Sequence, residues 1–246
     1  MKNLSCTKYI LYGGTFDPPH LGHVTLLEWV QQQLQPQQIC VLPSYCPVRS
    51  VTVTKNTQAT FAQRLAMCHL AFAPLLTQAN FNISRLEADL SSPSYSIHSI
   101  EYFYQLLQKN GQTPQLAFLL GEDQFLQFRH WHRAADIINM CSLYVIPRDT
   151  SLTTKSWQSS CQDLAQALGW QLAVNATNPE RYAIVSQQQQ QELWLLRDFP
   201  QHPAQSSSIR AACRRGDLPF LQTALPTNVL QYIQTHRLYD FKEATK

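Results

Sequence analysis

The sequence predicts an α/β fold: a doubly wound parallel sheet with helices on both faces, followed by a small C-terminal helical subdomain. Three observations predict it. Short apolar runs of strand length alternate with longer segments of helical spacing. Two of those runs end directly in glycine. From Ser206 to the end the pattern turns helical. The 246 residues suit one sizeable domain or a domain with a small appendage, and 44% hydrophobic content is enough for a real core.

The elements follow in order. Tyr9 to Tyr12 is a short apolar run ending at Gly13-Gly14, a buried strand entering a tight loop. Leu21, Val24, Leu27, Val30 and Leu34 have helical spacing, and Pro36 stops that helix. Ile39 to Leu42 is the next strand, closed by Pro43. Phe61 to Leu76 reads as a helix, Phe81 to Ser84 as a strand and Ser94 to Leu107 as a helix. Gln115 to Leu120 is a strand ending at Gly121, and Leu143 to Ile146 a strand ending at Pro147. Residues 150–200 are less regular and read as an irregular insertion, with Glu192 to Leu196 as a candidate last strand. The five glutamines Gln187–Gln191 read as surface loop. Pro226, Val229, Tyr232 and Ile233 form the stripe of a closing helix. This alternation is Rossmann-like, and ligands on such sheets bind beyond the carboxyl ends of strands, where strand order reverses. Both glycine-bearing loops are of that type.

Bulk properties exclude several classes. A net charge of +3 suits small anionic ligands, whereas nucleic-acid binding predicts clustered Lys and Arg; only short pairs such as Arg214-Arg215 occur. Seven cysteines without a CxxC pattern suggest neither a zinc ribbon nor a disulfide framework, so they read as reduced thiols. Met1–Lys8 has no long apolar run, so no signal peptide is expected, and no stretch reaches membrane-spanning length. The expectation is a cytoplasmic protein with no nucleic-acid or membrane partner. The oligomeric state is left open.

The chemistry concentrates in Gly13-Gly14-Thr15-Phe16-Asp17-Pro18-Pro19-His20-Leu21-Gly22-His23. Two glycines after a strand let backbone approach a ligand closely. Thr15 adds a hydroxyl, and Pro18-Pro19 stiffen the approach to a helix start. That start offers N–H groups and a positive dipole end to phosphate. His20 and His23, three apart, share a face beside those amides, and Gly22 leaves room for a flat ring such as adenine. Two competing readings are weaker. Zinc lacks a third ligand at useful spacing, and helix capping alone does not explain the conjunction. A Walker loop is absent.

These residues resemble the signature of the HxGH nucleotidyltransferase superfamily, and more narrowly that of bacterial nicotinate-nucleotide adenylyltransferases. The likeness continues in Pro43-Ser44, Arg64-Leu65-Ala66-Met67, Glu87, Ser94-Tyr95-Ser96, Gly121-Glu122-Asp123, Trp131, Arg148, Ser206-Ser207-Ser208-Ile209-Arg210, Pro226, Tyr232 and Leu238-Tyr239. Only about 150–200 falls outside it. The expected organisation is a nucleotidyltransferase domain over 1–205 and a helical subdomain over 206–246 in the same globule.

The resemblance implies attack by the 5′-phosphate of nicotinate mononucleotide on the α-phosphorus of ATP, with Mg²⁺ held through ATP phosphates. It assigns catalysis to Thr15, His20, His23 and Arg210. ATP binding falls to Gly13, Gly14, Thr15, Phe16, His20, Gly22, His23, Gly121, Asp123, Ser206, Ser207, Ile209 and Arg210. Acceptor binding falls to Arg49, Tyr95, Ser96, Trp131 and Arg148. Ser206–Ser208 are also expected to cap their helix. The sequence departs from the family where Pro-Pro-His-Lys becomes Pro47-Val48-Arg49-Ser50, leaving Arg49 or Lys55 for the phosphate contact. His132 stands where tyrosine is frequent. The rival readings are a sibling enzyme acting on nicotinamide mononucleotide or phosphopantetheine, an inactive nucleotide-binding regulator, and an RNA-binding protein.

Overall fold

Successive residues of the first apolar run enter two different cores. The computed structural model describes residues 9–50, 53–54, 56–90, 92–147, 153–175, 178–185 and 191–243. In strand β1 (Tyr9–Gly14), Ile10 and Tyr12 join one apolar cluster and Leu11 the other. A strand buried on both faces requires that two-residue period.

Helix α1 (Leu21–Leu34) follows, then β2 (Gln38–Pro43), the short antiparallel pair β3 (Val48–Ser50) and β4 (Val53–Thr54), and helices α2 (Phe61–Ala71) and α3 (Ala73–Leu76). Strand β5 (Phe81–Ile83), the turn of helix α4 (Leu86–Asp89) and α5 (Ser96–Lys109) lead to β6 (Leu116–Gly121). Helices α6 (Glu122–Leu126) and α7 (Ala134–Met140) precede β7 (Cys141–Ile146). Helix α8 (Thr154–Leu168) and strands β8 (Gln171–Val174), β9 (Arg181–Val185) and β10 (Gln191–Leu195) come next. The chain closes with α9 (Ser206–Arg215), α10 (Leu218–Ala224), α11 (Thr227–Thr235) and a 3₁₀ turn at Leu238–Asp240.

Eight strands form one sheet in the order β5-β2-β1-β6-β7-β10-β9-β8. All neighbours are parallel except around β9, which runs antiparallel to both β10 and β8. From β1 the chain winds outward through β2 to β5, then returns to β6 on the other side of β1. Strand order therefore reverses between β1 and β6, where ligands bind on such sheets. Gly13-Gly14 and Gly121 end these two neighbouring strands, in the register Tyr12 opposite Leu119.

Helices cover both faces. Residues of α1, α2, α9, α10 and α11 share the cluster containing Ile10, and residues of α5, α7 and α8 share the cluster containing Leu11. The C-terminal helices thus complete one face of the sheet.

Three expectations change in detail. The helix expected over Phe61–Leu76 breaks at Phe72, because Pro74 fits only a first helical turn and opens α3. The helix expected from Ser94 begins at Ser96, since the Ser94 hydroxyl accepts instead from the Cys46 N–H at 3.0 Å. The stretch read as irregular holds α8 and extends the sheet by β8–β10. Gln191, the last of the glutamine run, is buried in β10 and accepts from Ser142 Oγ at 3.0 Å; the other glutamines lie outside the described residues.

The pairing of β1 with β6 depends on Gly13. A Cβ there would lie 2.7 Å from Cζ of Phe118. Gly13→Ala is expected to destabilise the protein by about 1–3 kcal/mol, the scale of overpacking a core. Phe118→Leu in the same chain should recover part of the loss. Urea denaturation of both variants measures it.

Candidate active site

The loop leaving β1 is built around aromatic packing. A Cβ on Gly14 would lie 2.7 Å from Cζ of Phe16, so Phe16 folds back over the glycine. To do so it adopts a left-handed backbone, with φ of 51°. Its buried ring meets Tyr12, Phe72 and His23 edge-on. The space beside Gly13 and Gly14 is filled by Phe118 and Phe16, and the Phe16 side chain belongs to the core. Any contact Gly13, Gly14 and Phe16 make with a ligand therefore falls to their backbone.

Loop carbonyls are gripped from three directions. Arg64, 1% exposed on α2, donates from Nη1 to the Thr15 carbonyl at 2.6 Å and from Nη2 to the Ser44 carbonyl at 2.7 Å. Arg210 Nη1 donates to the Asp17 carbonyl at 2.6 Å, and Ser206 Oγ donates to the Pro18 carbonyl at 2.9 Å. The Asp17 carboxylate, also buried, accepts from the N–H groups of Gln58 and Ala59 and from the Tyr239 hydroxyl. Burial pushes the Arg64 guanidinium down from its ordinary value, while Asp17 and other groups oppose the shift.

His20 occupies the N-cap of α1, and its backbone N–H donates to His23 Nδ1 at 3.1 Å. The rings stack with centroids 3.7 Å apart. Helix capping is therefore real here and operates alongside any phosphate contact. Because Nδ1 of His23 accepts, a neutral His23 carries its proton on Nε2. Burial first, and the neighbouring His20 second, hold the His23 imidazole well below its ordinary 6.5. A Cβ on Gly22 would press against the His20 ring at 3.1 Å and approach His202 Cβ at 3.5 Å, so this glycine keeps the histidine pair in place.

Ser206 does not cap α9. The N-cap is Gln205, and the Ser206 hydroxyl is committed to Pro18. Ser207 is exposed in the first turn of α9, while the Ile209 side chain is buried in the core. Asp123 lies in the first turn of α6, beyond the N-cap Gly121. Its Oδ1 would meet a Gly121 Cβ at 2.9 Å. Trp131 is half-buried against Phe118 and Phe128, with centroids 5.9 and 5.3 Å away. Tyr95, the N-cap of α5, stacks on His132 at 4.4 Å, with His98 beside both rings. Ser96 opens that helix, half-buried. Burial drives the Glu87 carboxyl up, although Ser94, the Tyr45 backbone and Ser99 bond to it and Arg64 lies near. Arg49 falls within β3; Arg148 and Lys55 lie outside the described residues.

The structure thus gathers Gly13, Gly14, Thr15, His20, Gly22, His23, Ser206 and Arg210 around one loop, with Gly121 at the neighbouring strand end and Asp123 in the helical turn that follows it. Sequence reasoning named Arg64, Asp17, Tyr239 and His132 without giving them a place in the site, and it did not name His98. A signal existed for Arg64: it shares helical spacing with buried Met67, Cys68 and Ala71, a lone charge on an apolar face.

Residues 11–212 match the cytidylyltransferase-like family. The chain belongs to that family. Its relatives include a probable nicotinate-nucleotide adenylyltransferase of Yersinia pestis (strain Pestoides F), 30% identical over 97% of this chain and 98% of the relative. A protein of the same description from Coxiella burnetii (strain Dugway 5J108-111) is 29% identical over 93% and 96%. Plasmodium falciparum nicotinic acid mononucleotide adenylyltransferase, solved with NaAD, shares the fold: TM-score 0.65 over 95% of this chain and 98% of that one, at 14% identity. Within the cytidylyltransferase-like family frame, the matched segment runs from β1 into α9 and so contains both the histidine pair and Arg210.

The His23 geometry fixes a pH dependence. The folded protein keeps His23 neutral below 6.5, where the unfolded chain takes up a proton. Stability is therefore lost as pH falls through that value. His23→Asn retains an acceptor for the His20 N–H but does not titrate. Urea midpoints of the two proteins should converge, or cross in favour of the variant, as pH falls from 7.5 to about 5.5, a window around the ordinary imidazole value.

Proposed function

We propose that this chain transfers the adenylyl group of ATP to nicotinate mononucleotide, giving nicotinate adenine dinucleotide and pyrophosphate, a step of NAD biosynthesis. The observation that carries the reading is that Arg210 bonds the Asp17 carbonyl in the same loop that ends at the stacked His20–His23 pair, at the point where strand order reverses. The full-length likeness to proteins described as nicotinate-nucleotide adenylyltransferases supports the acceptor.

In the reaction, an oxygen of the acceptor's 5′-phosphate forms a bond to the α-phosphorus as the bond to the β-phosphate bridging oxygen breaks. The nucleophile is already competent, so the protein's work is positioning and charge neutralisation. Holding both reactants in register supplies roughly 7–11 kcal/mol in favourable cases. His23 offers Nε2–H to a phosphoryl oxygen, with its other nitrogen pinned by the His20 backbone. His20, Thr15 and the first-turn amides of α1 face the same charge. Arg210 serves the β- and γ-phosphates from α9. Asp123 takes the ribose hydroxyls, Trp131 the pyridine ring, and Tyr95 with Ser96 the acceptor's anionic groups.

Mg²⁺ fits this site as a companion of ATP. The Asp17 carboxylate, the acid nearest the loop, is committed to three donors, which favours a cation carried on phosphate oxygens and water. When bound it offsets phosphate charge.

The test supplies ATP, Mg²⁺ and a panel of nicotinate mononucleotide, nicotinamide mononucleotide and phosphopantetheine, and identifies products by mass. Nicotinate adenine dinucleotide with equimolar pyrophosphate is expected; preferential turnover of another acceptor, or none, overturns the reading. His20→Ala should lower kcat by about 10²–10³, the scale for removing one transition-state donor, with an unchanged circular dichroism spectrum. Trp131→Ala should chiefly raise the acceptor KM, by the equivalent of about 1–3 kcal/mol if base stacking is the right scale. Initial-rate kinetics in both substrates reads both.

A further inference from the structure

We propose that Tyr239 is a positioning residue of the transfer reaction, holding the Thr15–His20 loop in register with Arg210 through the buried carboxylate of Asp17. The inference rests on the adenylyl-transfer reading above. Asp17 faces two ways. Its backbone carbonyl receives Arg210 Nη1 at 2.6 Å, and its carboxylate Oδ1 receives the Tyr239 hydroxyl at 2.9 Å across 222 residues of sequence. The other donors to that carboxylate, the N–H groups of Gln58 and Ala59, come from the approach to α2. Tyr239 is therefore the contact through which the C-terminal turn reaches the loop that ends in His20.

The same turn is bound to the helix that carries Arg210. The Lys242 N–H donates to the Cys213 carbonyl at 3.0 Å, near the C-terminal end of α9. Gly216, with φ of 70°, lets that strand of chain come close: a Cβ there would lie 3.0 Å from the Lys242 carbonyl oxygen. The C-terminal segment thus spans the two parts of the site, gripping α9 by its backbone and Asp17 by one hydroxyl. A change in either grip alters where Arg210 stands relative to His20.

The turn is shaped for this contact at some conformational expense. Arg237, Tyr239 and Asp240 all take left-handed backbones, with φ of 48°, 60° and 54°, which L-residues adopt only when their surroundings compel it. Tyr239 is 4% exposed, and its hydroxyl also lies 4.0 Å from Met67 Sδ. Burial, then the nearby Asp17 charge, push the phenol far above its ordinary value, so it stays a donor. A core that needed only bulk here would be filled equally by phenylalanine. The hydroxyl aimed at a buried carboxylate is what distinguishes a positioning contact from a packing one.

The experiment compares Tyr239→Phe with Met67→Leu, which perturbs the same core without removing the hydroxyl. Kinetics in ATP and acceptor are measured well below each variant's Tm, and amide hydrogen exchange is followed over residues 13–24. Tyr239→Phe is expected to lower kcat about tenfold with both KM values within about twofold, and to speed exchange in that segment. Met67→Leu should do neither. Wild-type kcat and exchange in Tyr239→Phe would overturn the proposal, as would equal losses in Met67→Leu or a kcat loss without faster exchange. Exchange needs no turnover. Faster exchange in Tyr239→Phe with an inactive wild type would sink the adenylyl-transfer reading while leaving the loop contact standing.

Discussion

Everything at this site depends on a loop whose backbone carbonyls are held from outside. Thr15, Asp17 and Pro18 present their carbonyl oxygens to Arg64, Arg210 and Ser206, which come from α2 and α9. Outside the ladders of strand and helix, these oxygens need partners from elsewhere, and α2 and α9 supply them. Hydrogen bonds from charged donors are worth about 1.5–3 kcal/mol each, and an orphaned partner costs more. The buried Arg64 is thus constrained in both directions. Without the carbonyls its desolvated charge is unsupported, and without the charge the carbonyls are stranded. Such mutual dependence selects one loop geometry, as the proposed triphosphate site would require.

The histidine pair solves a related problem. A phosphate-binding site invites protonated imidazoles, but two cations stacked 3.7 Å apart repel. Here the His20 backbone N–H occupies Nδ1 of His23, and burial lowers the affinity of that ring for a proton. His23 remains a neutral donor through Nε2. The cap of α1 and the chemistry of the pair are thus one arrangement: the bond that starts the helix also chooses the tautomer.

Much of this was legible in the sequence because it is local. Strand Tyr9–Gly14, the Pro-Pro approach, the helix start at Leu21 and the second glycine-ended strand all announce themselves by periodicity and turn chemistry. The tertiary partners did not. Asp17 and Tyr239 are 222 residues apart and Arg210 is 193 from Asp17, and no local pattern reports such pairings. The packing of Phe16 was not legible because its side chain turns back on Gly14 through a left-handed backbone, which an aromatic residue rarely adopts. The 150–200 stretch looked irregular because it breaks the β-α rhythm: after α8 it adds β8, β9 and β10, with β9 reversed. Its register is set by neighbours such as Ser142 rather than by its own composition.

One aromatic ring joins the two halves of the site. Phe118 on β6 pairs in register with Leu11 on β1, and it occupies the space that a side chain on Gly13 would take. The same ring meets Trp131 edge-on, with centroids 5.9 Å apart. The end of β1 and Trp131 are therefore linked through the sheet, by the β1–β6 pairing and the Phe118 ring packed between them. In-line transfer requires the phosphate-bearing and ring-bearing ends of two substrates to stand at a fixed separation. A separation defined by a parallel strand pair varies less than one defined by two surface loops, because sheet register changes only in whole-residue steps. On the proposed reading, Gly13 and Phe118 would help to set that separation through their packing in the sheet.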